Sequence, residues 1–92
     1  MKSVSLICIP FAGGTSFAFR DITNHIPNYI KPFFMEFPGH GRRLQEPLLT
    51  DIHDIVSDIF HQIPSFGESP LVIWGHSMGG TIAYLLTRRL WR

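Results

Sequence analysis

Three features of this 92-residue sequence predict an α/β fold on three parallel strands with helices on both faces. Short apolar runs alternate with stretches of helical periodicity, in the order strand, helix, strand, helix, strand, helix. A loop rich in glycine or proline closes each strand. The third feature is a Gly-x-Ser-x-Gly motif, Gly75-His76-Ser77-Met78-Gly79, set between the last apolar run and the last helix. Right-handed crossovers then put residues 4–9 in the middle, the second strand on one side and the third on the other. The first helix falls on one face and the remaining two on the opposite face.

Residues 4–9 are nearly all apolar and run into Pro10 and Gly13-Gly14, as expected for a strand covered on both faces. Thr15 or Ser16 can cap a short helix carrying Phe19, Ile22 and Ile26, ended by Pro27. Residues 32–37 form the second strand, closed by Pro38-Gly39. Thr50 or Asp51 then caps the clearest element of the chain. Its apolar residues Ile52, Ile55, Val56, Ile59, Phe60 and Ile63 recur at the spacing of one helical face, with acids in the first turn where the dipole favours them. Pro64 and Gly67 break that helix. Residues 71–74 make the third strand and 81–90 the last helix. Ile82, Ala83, Tyr84, Leu85 and Leu86 surround that helix, which predicts burial nearly all round, with Arg88, Arg89 and Arg92 at its C-terminal end.

A chain of this length is at most one small domain and buries only ~60–65% of its unfolded surface, so marginal stability is expected. The formal net charge of +1 leaves no electrostatic footprint for nucleic acid, and 45% hydrophobic residues argue against disorder. Cys8 is the single cysteine, set in an apolar strand, which implies a buried thiol, no internal disulfide and a reducing compartment. Lys2 with the following apolar run has the look of a short secretion signal, but Pro10 and the glycine turn read better as a strand feeding a loop. No stretch approaches the ~20 apolar residues of a membrane span. A soluble, cytoplasmic protein is expected.

The serine motif carries the chemistry. A serine hydroxyl attacks a carbonyl only when it is exposed, paired with a general base and flanked by donors for the developing oxyanion. A sharp strand-to-helix turn supplies the exposure and brings two backbones together, so Gly75 and Gly79 have to be small. Where this turn is used, the acid and the base follow the serine along the chain. No Asp, Glu or His follows His76 here. His76 adjoins the serine, yet neighbouring side chains on a tight turn diverge, so a structural role is expected. His25, His53 and His61 read as solvated surface; His40 could face the site from its loop, but a surface turn histidine is favoured. Phe33, Phe34 and Phe37 are assigned to the core.

Four motifs in order, Pro10-Phe11-Ala12-Gly13-Gly14, Pro38-Gly39-His40-Gly41 with Arg43-Leu44, Glu46-Pro47, and Gly75-His76-Ser77-Met78-Gly79, resemble the type II thioesterases of nonribosomal-peptide and polyketide synthesis, within the α/β-hydrolases. His40 departs from the arginine usual in that family. The resemblance implies a partial α/β-hydrolase fold that ends just after the helix following the serine, with residues 1–92 the N-terminal portion of one thioesterase domain. It makes Ser77 the nucleophile and Met78 a backbone donor to the oxyanion. The second donor is Phe11, with Ala12 the fallback, on a turn that Gly13 and Gly14 permit. The implied partner is a carrier protein bearing an acyl group on phosphopantetheine; no cofactor or metal is implied. Arg42 and Arg43 are equally readable as contacts to that partner and as a solvated loop. A carboxylesterase fragment and a non-catalytic module that binds a carrier protein or a complementing chain remain alternatives, and the chain alone is expected to be inactive.

Overall fold

The computed structural model describes residues 3–10, 14–15, 19–63 and 70–91. Its elements are β1 (Val4–Ile9), β2 (Ile30–Phe34), α1 (Ile52–Gln62), β3 (Leu71–Gly75) and α2 (Met78–Leu90), with 3-10 turns at Ile22–Asn24 and Gly41–Arg43. The strands form one parallel sheet in the order β2-β1-β3, as the crossover argument requires.

The sheet register sorts the side chains. Ile7 is paired with Phe33 on one side and Ile73 on the other, and these rows face the same way because the side-chain period of a strand is two. On that face Ile7 and Ile9 join Val56 and Ile59 of α1 and Ile82 and Leu86 of α2 in one core, completed by Met35 and Phe37. The opposite face presents the Cys8, Phe34 and Trp74 row. Phe19 packs there, its ring 5.0 Å from Trp74 edge-on and 6.0 Å from Phe34 stacked. Phe19, of the first connection, and the two helices therefore lie on opposite faces. Cys8 is fully buried, and burial pushes its thiol up to about 11.

Three sequence expectations change. The predicted first helix contains no α-helix among its described residues: Phe19 and Ile22–Asn24 are 3-10, and the Asp21 cap makes no side-chain bond. Pro27 leaves too little chain after that turn to repay helix nucleation. The second strand begins two residues earlier than expected and ends at Phe34. Pro32 fits inside it because β2 is an edge strand, where a missing N–H faces outward. Helix α2 starts at Met78 rather than Thr81, and it is not buried all round. Gly79, Ile82 and Leu86 form its buried stripe while Tyr84 is 62% exposed, because only one side meets the sheet and α1.

Helix α1 follows its sequence closely. Asp51 is the cap, and its carboxylate accepts the His53 N–H at 2.7 Å. Among the described residues no helix is long and apolar enough to cross a membrane.

Candidate active site

The carboxyl ends of β1, β2 and β3 point to one rim of the sheet, where an open parallel sheet places its ligand. Ser77 stands on that rim, exposed, one residue beyond the end of β3. Its φ of 59° and ψ of −119° make it the only non-glycine residue with positive φ among the described residues. An L side chain in that region costs about 1–3 kcal/mol, which the surrounding packing has to offset.

The packing that holds it is visible at the two glycines. A Cβ on Gly79 would lie 2.6 Å from the carbonyl oxygens of both Ile9 and Pro10, and a Cβ on Gly75 would collide with the Gly79 backbone. The His76 N–H also donates to Ile9 O at 3.3 Å. The turn is thus docked onto the end of β1, at the start of the first loop.

Helix α2 opens with Gly79 N–H donating to His76 O at 2.9 Å and Gly80 N–H to Ser77 O at 2.8 Å. The Met78 N–H precedes both and has no backbone acceptor among the described residues, as the first orphan donors of a helix do not. It sits at the positive end of the helix dipole, beside Ser77, where an oxyanion would form. Phe11, Ala12 and Gly13, named from the sequence as the second donor and its turn, lie outside the described residues. Gly14 is buried.

Beside Met78 lies a cleft of about 190 Å³. Phe37, Pro38, Leu49, Ile55 and Met78 give it apolar walls, and His40 and Thr50 its polar groups. His40 therefore lines the cleft, where the sequence had favoured a surface turn histidine. Its Nδ1 donates to Pro38 O at 3.1 Å and its ring meets Phe37 edge-on. His53 and His61 are exposed on α1, as expected, and His76 is exposed beside the serine.

The two arginines of the second loop part company. Arg43 uses all five of its N–H donors inside the chain. Two go to Asp58 at 2.6 and 2.7 Å, two to Glu46 at 2.8 Å each, and one to Glu36 O at 2.8 Å. These bonds, that to Asp58 first and that to Glu46 second, raise the guanidinium pKa beyond its already high value. In return the Arg43 hydrogen bonds hold the Asp58 and Glu46 carboxyls below their usual range. Gln62 braces the same cluster through Asp58 and Glu36 O. Arg43 clasps the loop to α1. Arg42 is 73% exposed and meets the buried Glu36 carboxylate at 3.3 Å. Sequence reading missed Glu36, Asp58 and Gln62, since only the loop's own charges were in view. Among the described residues no group of His, Cys, Asp or Glu side chains could hold a metal ion.

A strained serine on a glycine-flanked turn, at the carboxyl rim of a parallel sheet and heading a helix, defines an α/β-hydrolase. Within that class the chain belongs to the thioesterase family, since residues 4–92 match the model of the thioesterase domain. It is 34% identical over 85 residues to the gramicidin S biosynthesis protein GrsT of Aneurinibacillus migulanus, which covers 92% of this chain and 33% of GrsT. It is 32% identical over 80 residues to the human medium-chain S-acyl fatty acid synthase thioesterase, across 86% of this chain and 30% of that protein. The structure of BorB, the type II thioesterase of the borrelidin biosynthetic cluster, superposes with a TM-score of 0.88 at 29% identity, covering 97% of this chain and 36% of BorB. The chain spans about a third of the length of GrsT and of the human thioesterase.

Proposed function

We propose that these residues form the nucleophile-bearing part of a serine thioesterase that hydrolyses acyl thioesters on carrier proteins of nonribosomal-peptide or polyketide assembly. The observation that carries this reading is Ser77 itself, held at positive φ at the carboxyl end of β3 by the contact of Gly79 with the Ile9 and Pro10 carbonyls. The Ser77 Oγ attacks the thioester carbon, and the carbonyl oxygen takes up negative charge against the Met78 N–H and the N–H of Phe11 or Ala12. Collapse expels the carrier's pantetheine thiolate and leaves the acyl group on Ser77 as an ester. Water then releases it as a carboxylic acid.

On this reading the acid and the base that manage the proton follow the serine, as they do where this turn is used, and no Asp, Glu or His follows Ser77 within residues 1–92. Residues 1–92 are read as the N-terminal portion of the domain, completed by a C-terminal portion or complementing chain that supplies the acid and the base. Alone, the chain is expected to release negligible thiol. Losing a triad base costs on the order of 10⁶ in turnover, and an oxyanion hole with binding retains only ~10³–10⁴ over water. Arg42, exposed on the rim loop, is the cation available to the phosphate of a pantetheine arm, whereas Arg43 is already saturated.

A second reading is a non-catalytic module that binds carrier proteins. A chimera separates the two. Residues 1–92 are joined to the C-terminal two thirds of GrsT, and thiol release from acyl-pantetheine is measured with the chimera and its Ser77→Ala variant. Release that disappears in the variant is the expected result. A folded chimera with no serine-dependent release would leave only the binding module.

A further inference from the structure

We propose that His40 selects the acyl group, favouring short, mainly apolar acyl chains that carry one hydrogen-bond donor, an O–H or N–H, over chains of the same length without one. This deepens the thioesterase reading and rests on it.

The argument begins with the ring's hydrogen bonding. A carbonyl oxygen only accepts, so the 3.1 Å contact between His40 Nδ1 and Pro38 O fixes the proton on Nδ1. In the neutral ring Nε2 then carries a lone pair and is an acceptor. Nothing among the described residues donates to it. The ring is also held in place: its edge-on contact with Phe37 spans 6.1 Å between centroids, and its backbone is pinned by His40 N–H to Phe37 O at 3.1 Å and Arg43 N–H to His40 O at 2.8 Å. An acceptor with a fixed tautomer and a fixed ring is preorganised, which is what converts a hydrogen bond into discrimination.

The surroundings set the rest of the ligand. His40 lines the 190 Å³ cleft whose other walls include Phe37, Leu49, Ile55 and Met78. A cavity of roughly 150 Å³ takes up a benzene molecule, so this cleft takes an acyl chain of about that bulk. Met78 joins the cleft to the chemistry, since it follows Ser77 directly and carries the proposed oxyanion donor. An acyl group esterified to or approaching Ser77 with its tail in this cleft meets apolar side chains, the Thr50 hydroxyl, which can turn to donate or accept, and the acceptor on His40, which is fixed. A tail bearing a donor satisfies that acceptor; a plain alkyl tail strips it of water and leaves it unpaired.

The test uses the chain with two ligands of equal carbon number, butyryl-pantetheine and 3-hydroxybutyryl-pantetheine, followed by the methyl resonances of methionine. Met78 reports the cleft and buried Met35 serves as the control. The hydroxylated thioester is expected to bind about 3- to 10-fold more tightly, with the Met78 methyl shifting. Two variants isolate the atom responsible. His40→Asn keeps a donor to Pro38 O but has nothing at the Nε2 position, and should bind both ligands equally. His40→Gln restores an acceptor near that position and should recover the preference. Equal affinities in the parent chain, a preference that survives His40→Asn, or binding that leaves the Met78 methyl unmoved overturns this proposal alone. If neither thioester binds, this proposal falls, while serine-dependent thiol release by the chimera decides the thioesterase reading separately.

Discussion

The two faces of the sheet are built differently. Under α1 and α2, Ile7, Ile9, Ile59, Ile82 and Leu86 are all fully buried, and each finds its neighbours within the chain. On the other face Phe19 covers part of the Trp74 row, yet Val72 and Trp74 of the edge strand β3 remain 48% and 43% exposed. The helical face is a finished core. The other face, at β3, offers apolar side chains next to a strand that pairs with β1 alone among the described strands. Stability therefore resides on one side of the sheet and the capacity for association on the other.

The largest expected effect breaks the finished face. Leu86→Ala should cost about 2–5 kcal/mol through lost burial and the cavity left behind. That is much of what a small domain possesses, so a cooperative thermal transition, followed by circular dichroism, is expected for the parent chain and not for this variant. Trp74→Ala should leave a measurable transition. Equal damage from both changes would mean that the second face is covered in solution, and sedimentation would show by what.

Next comes the clasp that holds the rim loop to the finished face. Arg43→Gln strands Asp58 and should lower stability by about 1–3 kcal/mol in urea denaturation at neutral pH. The pH dependence carries its own signature. Asp58 has its carboxyl depressed in the folded chain, chiefly by the Arg43 hydrogen bond, so its contribution is present above the ordinary carboxylate range and is lost as pH falls through the lowered folded value. The parent chain should lose stability on acidification, and Arg43→Gln should flatten that part of the profile. An unchanged acid limb would remove Asp58 from the account.

A smaller effect has the opposite sign. Ser77→Gly removes a side chain from a positive-φ position and should stabilise the chain by about 1 kcal/mol, or ~4–8 °C in the melting temperature. Ser77→Ala, which retains the Cβ, should not. The smallest change concerns the unfinished face. Val72→Lys should alter stability by less than ~0.5 kcal/mol while reducing self-association, because a charge on an edge strand opposes further pairing. Size-exclusion chromatography of the parent chain should show oligomers or aggregate that this variant diminishes.

Much of the fold could be read from local pattern. The apolar run of β1, the stripe of α1 with its Asp51 cap and the glycine-flanked serine are each decided by residues within a few positions of one another. What escaped depends on distance along the chain. The five-donor saturation of Arg43 joins it to Asp58, 15 residues away, and its loop pattern alone left it equally readable as a carrier contact. The exposure of Tyr84 follows from which side of α2 meets the sheet, and an apolar sequence all round a helix does not state that. The short turn at Ile22–Asn24 failed as a helix because spacing marks a face but does not count the turns needed to sustain one.

The contact of Gly79 with the Ile9 and Pro10 carbonyls has a consequence for how a catalytic centre can be divided. It couples the serine turn to the end of β1 through backbone packing alone, so the elements that would receive the carbonyl group are registered with each other before any acid or base arrives. On the proposed reading, the machinery for holding charge on oxygen and the machinery for moving protons are separable modules. Assembly then becomes a docking problem. A second polypeptide that brought a histidine to Ser77 would switch on a scaffold already in register, and turnover would report the encounter of two chains.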